Sequence, residues 1–485
     1  MKDDRMIYTG QLTYKDVDFA FVFDGKELRL IPSKDKRDEV NENWLRTPLA
    51  NGAYTIHIPV IEDSCLYGIC NETNQKIIFL IKRGDYLTPR GNYLLGGNFV
   101  LATTVVAYII CKYNRNLIDR ISFSSPEIDA IYPLRNSFSF SLGADFKEFN
   151  ETGVVSITTK DFDSTTTEPQ GFMVDGKAVS AHFSVWRGVN IKVGEPPLSL
   201  NSCLMFEFEP TSEYEFVLRL WRIAKSFLTY LCYRRNANLP TAKLSAPYAG
   251  EKHEEFATLY VIGEDGKPSV EDIQKGRYIS QQLIAGHEGQ ILEDIASNKL
   301  YLRHIPESYD SGRHKDAAKF IMLTSAFEWE FGRTYPNGVE KSEAALVVEK
   351  TATEAIEALF KNSTGRLRDK YRYLKKRIKD DPLQSEIEQV GKDFSEIIEP
   401  FGKQLYSICG EKLVYSEMGK RLGDQRNHFA HGDLDKDFIN LSLPDLVFLE
   451  RIIYAMQLKY YAIESSKIQK AINDLFHCGF ALPQA

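Results

Sequence analysis

The chain has no Cys-x-x-Cys pair, and its seven cysteines form an odd, scattered set in which only Cys65 and Cys70 stand close together. That argues against a zinc ribbon and against a disulfide frame, so a reduced interior with no metal and no other cofactor is expected. Long apolar runs are missing as well. The strongest, FVLATTVVAYIIC from Phe99 to Cys111, falls short of the roughly 20 residues a spanning helix needs, and its β-branched content suits a buried strand. The opening MKDDRMIYTG has acids where a secretory leader needs a basic and then an apolar segment, so a cytosolic (cytoplasmic) protein without a membrane partner is expected. Positive charge is also in short supply. A net charge of −7 speaks against a surface coated for bulk nucleic-acid binding. The deficit is uneven: from Ser311 onward there are 26 basic and 26 acidic residues, against 34 and 41 in the remainder, so the C-terminal part is the less hostile to a polyanion.

What is present is the composition of a folded chain, 43% apolar and 12% aromatic, and 485 residues are enough for two or three domains. From Met1 to about Val193, short alternating or β-branched runs recur between turn signals: DFAFVF before DGKE, AYTIHIPV, KIIFLIK, SFSFSL and VVSITT. The pattern changes at Ser212 to Arg235, where Phe216, Leu220, Ile223, Phe227, Leu228 and Leu231 follow helical spacing. Up to Pro306, ATLYVIG reads as a strand and GQILEDIAS as a helix. Beyond Asp310 the chain reads as five or six helices with short connections, the first carrying Phe320, Leu323, Phe327 and Phe331 on one side and the last starting at Ser442. The expected fold is α+β and multidomain: a β-rich antiparallel N-terminal domain over 1–210, a mixed helix and strand connecting region over 211–310, and an all-α helical bundle over 311–485.

Late in the chain, GDQRNHFAHGDLD from Gly423 to Asp435 gathers an arginine, an asparagine and two histidines. Two accounts fit it. An Arg separated by four to six residues from a His is a short pattern that occurs twice here, as Arg426 to His431 and as Arg421 to His428. In the first account these residues close a helix, where cations meet the negative end of the dipole and Gly432 ends the turn. In the second they perform chemistry. Histidine exchanges a proton near neutral pH, arginine stays charged and grips two phosphate oxygens, and asparagine adds an uncharged donor and acceptor.

The string RNHFAHG on a late helix of an all-α region resembles the signature of HEPN domains, Arg-x(4–6)-His, often with Asn directly after the Arg. The motif then maps onto Arg426, Asn427 and His431. A β-rich part followed by such a bundle resembles the ApeA-like HEPN proteins of bacterial anti-phage defence. The motif part of this resemblance covers roughly Arg313 to Ile472, and the N-terminal part is one of architecture alone. It implies a metal-independent endoribonuclease of abortive infection, with tRNA a candidate among its RNA substrates. It also implies an active site completed across a homodimer and a phage-derived trigger sensed by the N-terminal part. His428 departs from the motif as an extra histidine, either sharing the proton transfer or lying at the surface.

Helix geometry is a separate reason to expect two chains. At 3.6 residues per turn Asp424, Asn427, His428 and His431 fall within about a third of the circumference, while Arg426 points far around from them. Either the helix deforms near Gly432, or two motifs face each other about a two-fold axis. In the expected reaction His431 deprotonates a ribose 2′-hydroxyl, Arg426 stabilises charge on the phosphoryl oxygens, and Asn427 holds His431 or the ribose. The products are a 2′,3′-cyclic phosphate and a 5′-hydroxyl, and DNA, lacking the attacking group, is spared.

RLRDKYRYLKKRIK, Arg366 to Lys379, holds eight basic residues and one acid. It is either an amphipathic helix with a solvated face or an RNA contact through Arg368, Arg372, Lys375, Lys376 and Lys379. Glu328 and Glu330 lie amid aromatics on the first helix of the bundle, and Glu328 is a candidate to turn inward and fix the direction of Arg426. HEEF at His253 lacks the second histidine of a zinc-protease motif. His304 and His314 flank IPESYDSGR and read as two exposed linker histidines or, less simply, a ligand pair. A reading from another class remains open: a non-catalytic RNA-binding or protein-interaction module that dimerises through the bundle. A carbohydrate- or peptide-binding β domain with a helical tail is a third.

Overall fold

The structure is a computed structural model that describes residues 7–49, 53–92, 97–112, 115, 117–141, 156–161, 165–189, 194, 196, 198–248, 253–264, 270–378, 382–432, 438 and 440–480. It contains a large antiparallel β-sheet in its first 260 or so residues and a helical C-terminal region. The chain divides into two compact units, one of residues 1–229, 236–273 and 288–297, the other of 230–235, 274–287 and 298–485.

The strands of the first unit are β1 (Tyr8–Tyr14), β2 (Val17–Phe23), β3 (Glu27–Pro32), β4 (Arg46–Pro48), β5 (Tyr54–Ile56), β6 (Cys65–Cys70), β7 (Lys76–Leu80), β8 (Thr88–Gly91) and β9 (Phe99–Thr104). They continue as β10 (Ala107–Cys111), β11 (Ile118–Phe123), β12 (Phe138–Ser141), β13 (Ser156–Thr159), β14 (Gln170–Val174), β15 (Lys177–Val189), β16 (Leu198–Thr211), β17 (Thr241–Pro247) and β18 (His253–Val261). Fourteen of them form one sheet in the order β14-β15-β16-β11-β17-β18-β10-β7-β6-β1-β2-β3-β9-β8, while β12 with β13 and β4 with β5 make separate hairpins. The sheet thus draws on both the 1–210 stretch and the connecting stretch 211–310, whose β17 and β18 sit between β11 and β10.

Alternation explains the core. In β2, Val17, Phe19, Phe21 and Phe23 are buried while Asp18 and Ala20 are exposed, and Phe21 and Phe23 each meet Phe79 of β7 edge-on at 5.2 Å. The run Phe99–Cys111, expected as one strand, is two. It breaks at Val105 and Val106, and β9 pairs with β3 and β8 while β10 pairs with β7 and β18. Helix α1 (Tyr214–Cys232) buries Phe216, Leu220, Ile223, Phe227 and Leu228 as its spacing requires.

The second unit contains α2 (Ala317–Thr334), α3 (Glu343–Lys361), α4 (Gly365–Arg377), α5 (Leu383–Asp393), α6 (Ser395–Ile408), α7 (Tyr415–His431), α8 (Ser442–Tyr460) and α9 (Ser465–Leu475). That exceeds the five or six expected, partly because 383–408 is two helices: Asp393 accepts from Gln389 at 2.7 Å and from the Tyr335 hydroxyl at 2.8 Å, and Phe394 leaves helical geometry. Helix α8 buries 13 of its 19 residues and packs against α2, α6, α7 and α9, as a central helix must. No helix among the described residues is long and apolar enough to cross a membrane.

His304 is corrected by the structure. It is no exposed linker residue but lies 1% exposed in unit two among the rings of Tyr301, Tyr233 and Tyr454, whereas His314 is exposed. Burial, helped by the nearby Lys319 ammonium, pushes its imidazole down to about 3. The folded value therefore lies below the unfolded one near 6.5. The resulting stability is complete above that pH and is lost as pH falls toward 3, at up to about 1.4 kcal/mol per pH unit. In urea titrations between pH 7 and pH 4, His304→Phe is expected to show a shallower loss of stability than the wild type. Parallel curves would remove this histidine from the account.

Candidate functional site

The motif residues lie on α7, which packs on α5, α8 and α2. Its buried face is Met418, Gly419, Leu422, Gln425 and Phe429. Gly419 permits the close approach to α5, since a Cβ there would fall 2.6 Å from the Gln384 Cα. Phe429 stacks edge-on with Phe320 of α2 at 5.4 Å and with Phe438 at 5.7 Å. The helix is regular through His431 and ends at Gly432, whose φ of 81° is open to glycine at little cost and whose N–H caps the Phe429 carbonyl at 3.2 Å. Residues 433–437, including the end of GDQRNHFAHGDLD, lie outside the described residues.

This buried face decides where the polar residues go. Arg421, on one flank, forms a two-pronged pair with Asp445 of α8, at 2.7 Å from Nε and 2.8 Å from Nη2. Asp445 is fully buried and also accepts the Tyr406 hydroxyl of α6. Its hydrogen bonds to Asp445 hold the Arg421 guanidinium above its ordinary pKa. Burial pushes the Asp445 carboxyl up, opposed by the hydrogen bonds from Arg421 and Tyr406. Arg421 is therefore a structural group, and of the two overlapping Arg-to-His spacings only Arg426 to His431 keeps an arginine outside a buried pair.

Arg426, about 140° further round the helix, reaches α2 and pairs through Nη1 with Glu328. Both partners are about one-third exposed, at 34% and 36%. A guanidinium has five N–H donors in a fixed fork, so one occupied Nη1 leaves donors for a second acceptor. Asn427 and His431 fall opposite the buried face and are exposed, and His428 is half-buried one turn before His431. Because the helix stays regular across the motif, Arg426 and His431 remain about 140° apart on one chain.

Glu330 differs from its neighbour Glu328. It is buried at 1% exposure, accepting from the Tyr301 amide, Gln457 and Arg333, and burial raises its carboxyl. Among the basic residues of α4, Arg368 lies 4.7 Å over the Phe360 ring, Arg372 pairs with Asp369 at 3.1 Å, and Lys375 bridges to Glu357 of α3. Lys376 lies within α4, while Lys379 lies outside the described residues. His253 pairs with Asp119 at 2.9 Å in the first unit. Among the described residues, no group of three or more His, Cys, Asp or Glu is placed to hold a metal ion.

Sequence reasoning missed Asp445 and Tyr406. Asp445 follows Pro444 and reads as an ordinary helix-start acid, and only its burial reveals the partner. Compared with family models, curated proteins and solved structures, the chain matches none.

The two arginines should separate in unfolding experiments. Arg421→Ala leaves Asp445 buried and unpaired and is expected to cost about 3–5 kcal/mol. Arg426→Ala breaks a partly exposed pair and should cost less than about 1 kcal/mol. Equal losses in urea unfolding would contradict this division of roles.

Proposed function

We propose that the chain is a HEPN-like, metal-independent endoribonuclease acting in anti-phage abortive infection, with Arg426, Asn427 and His431 as its catalytic residues. The observation that carries this reading is the contrast on α7. Arg421 is consumed by a buried structural pair, while the Arg426-Asn427-His431 set is left at the surface, with Arg426 oriented by Glu328. In this mechanism His431 takes the proton from the ribose 2′-hydroxyl, whose oxygen attacks the adjacent phosphorus. The bond from phosphorus to the 5′-oxygen breaks, and that oxygen takes up a proton. Arg426 stabilises the charge on the phosphoryl oxygens with donors that Glu328 leaves open, and Asn427 orients His431 or the sugar. His428, one turn before His431 on the same helix, is a second candidate to share the proton transfer.

The angular separation of Arg426 and His431 on an unbroken helix favours a site completed by two chains about a two-fold axis over one completed within a chain. The RNA strand is taken to run along the charged side of α4, where Arg368, Arg372 and Lys375 lie. The first unit is the proposed receiver of a phage-derived trigger. It offers a groove of about 1230 Å³ lined by Gln11, Asp18, Ile31, Tyr67 and Lys76 among others.

Incubating the full chain with total bacterial RNA in EDTA, with phage-infected lysate supplied in a parallel reaction, tests this reading. RNA ends bearing 2′,3′-cyclic phosphate are expected from the wild type and none from a folded Arg426→Ala/His431→Ala variant. Strict Mg²⁺ dependence, or equal cutting of a DNA copy, would overturn it.

A further inference from the structure

The groove of about 1230 Å³ in the first unit lies on a sheet face whose layout follows from strand pairing. Ile31 of β3 stands opposite Ala20 of β2, Ala20 opposite Gln11 of β1, Gln11 opposite Ile69 of β6, and Ile69 opposite Lys76 of β7. Directly paired residues point to the same side of a sheet, so these five side chains form one row, and all five line the groove. Four steps between strands make the row about 19 Å long, the span of about six residues of extended chain. Much of it is aliphatic and open: Ile69 is 54% exposed, and Ala20 is exposed as well.

The charges along the row are unevenly matched. Lys34 and Arg37, which follow β3, lie at one end, and Lys76 with Lys112, which follows β10, at the other, while Asp18 is the single acid among the lining residues. Asp18 lies two residues from Ala20, off the row, and accepts the Thr13 hydroxyl at 2.6 Å. Lys112 is paired with Glu255 at 2.6 Å. Among the described residues, Lys34, Arg37 and Lys76 form no ion pair. Arg37 donates through Nη1 to the neutral side chain of Asn98 and keeps a buried Nε without an acceptor, and the Lys76 ammonium rests 5.3 Å over the Tyr67 ring. Acids outnumber bases by 41 to 34 in the first 310 residues, so three unpaired cations along one row do not reflect a general coating.

Unmatched cations at both ends of an aliphatic stretch call for a ligand with carboxylates at its ends and apolar side chains between them. Nucleic acid fits less well. A single strand stacks its bases on aromatic faces, whereas Phe19 is buried here and Tyr67 already carries Lys76 and meets Tyr214 edge-on at 6.2 Å. We propose that the groove binds an extended acidic peptide segment of another protein, its outer acidic side chains held by Lys34 and Arg37 at one end and Lys76 at the other, and its aliphatic side chains lying on Ala20, Ile31 and Ile69. Any role of that peptide in releasing cleavage rests on the ribonuclease reading, while the binding stands on the groove alone.

Fluorescence anisotropy of the full chain tests this with three labelled probes: a seven-residue peptide of two glutamates, isoleucine, alanine, isoleucine and two glutamates, the same peptide with lysines in place of the glutamates, and a uridine heptamer. The glutamate peptide is expected to bind about tenfold or more tightly than either other probe, to weaken as salt is raised, and to lose about tenfold in affinity with Lys34→Glu/Lys76→Glu. Ile69→Glu, which leaves the cations in place, is expected to lose as much. All three side chains stand on the solvent side of the sheet, so both variants should keep the wild-type circular dichroism and melting temperature. A glutamate peptide that the wild type does not bind, that the charge-reversed variant binds as well, or that the lysine peptide or the uridine heptamer equals would overturn the proposal. Cleavage assays with the glutamate peptide added separate the two claims: a peptide that binds without changing cleavage leaves the binding site standing and removes the groove from control of the nuclease.

Discussion

The buried pair between Arg421 and Asp445 acts with the apolar face of the motif helix to fix its rotation, and the rest of the candidate site follows from that rotation. A carboxylate removed from water needs a partner of opposite charge with good geometry, and the forked guanidinium supplies two hydrogen bonds while Tyr406 supplies a third. With Arg421 held toward α8, the periodicity of α7 sends Phe429 inward, Arg426 toward α2, and Asn427 and His431 to the surface. A different rotation would take Arg421 away from Asp445 and leave a buried carboxylate without its charged partner.

Helix α8 carries the other half of this constraint. It is apolar nearly all round, and its few buried acids each collect several donors: Asp445 from Arg421 and Tyr406, and Glu450 from Lys315 and Tyr233. Glu330 on the facing helix α2 is satisfied in the same way by Gln457 of α8. Such fully partnered polar groups fix a single packing of the bundle at little net gain in stability, and the surface residues of α7 inherit that order.

Much of this was legible in the sequence, for identifiable reasons. Alternation in DFAFVF and the three- and four-residue spacing around Phe320 carry their own periods, and the corresponding strand and helix stand where those periods place them. The run Phe99–Cys111 hid its break because continuous apolar residues mark no turn. The end of α5 at Asp393 was hidden because Ile387, Val390, Phe394, Ile397 and Phe401 keep helical spacing straight through the break. The burial of His304 depends on rings brought from distant segments. Of the candidate site, the residue types were readable from the string RNHFAHG, and Glu328 could be named as a partner for Arg426. The assignment of Arg421 to the core was not readable, because its partner reveals itself only in three dimensions.

The central claim is that Arg426 of one chain and His431 of another act on the same phosphate, and mixing two inactive variants tests it directly. Arg426→Ala and His431→Ala chains, each silent alone, are unfolded and refolded together in equal amounts, and RNA cleavage is measured against the wild type treated likewise. The account predicts recovery to about one quarter of the wild-type rate, because half of the resulting dimers contain one intact site. No recovery, from mixed dimers whose formation has been verified, would contradict it.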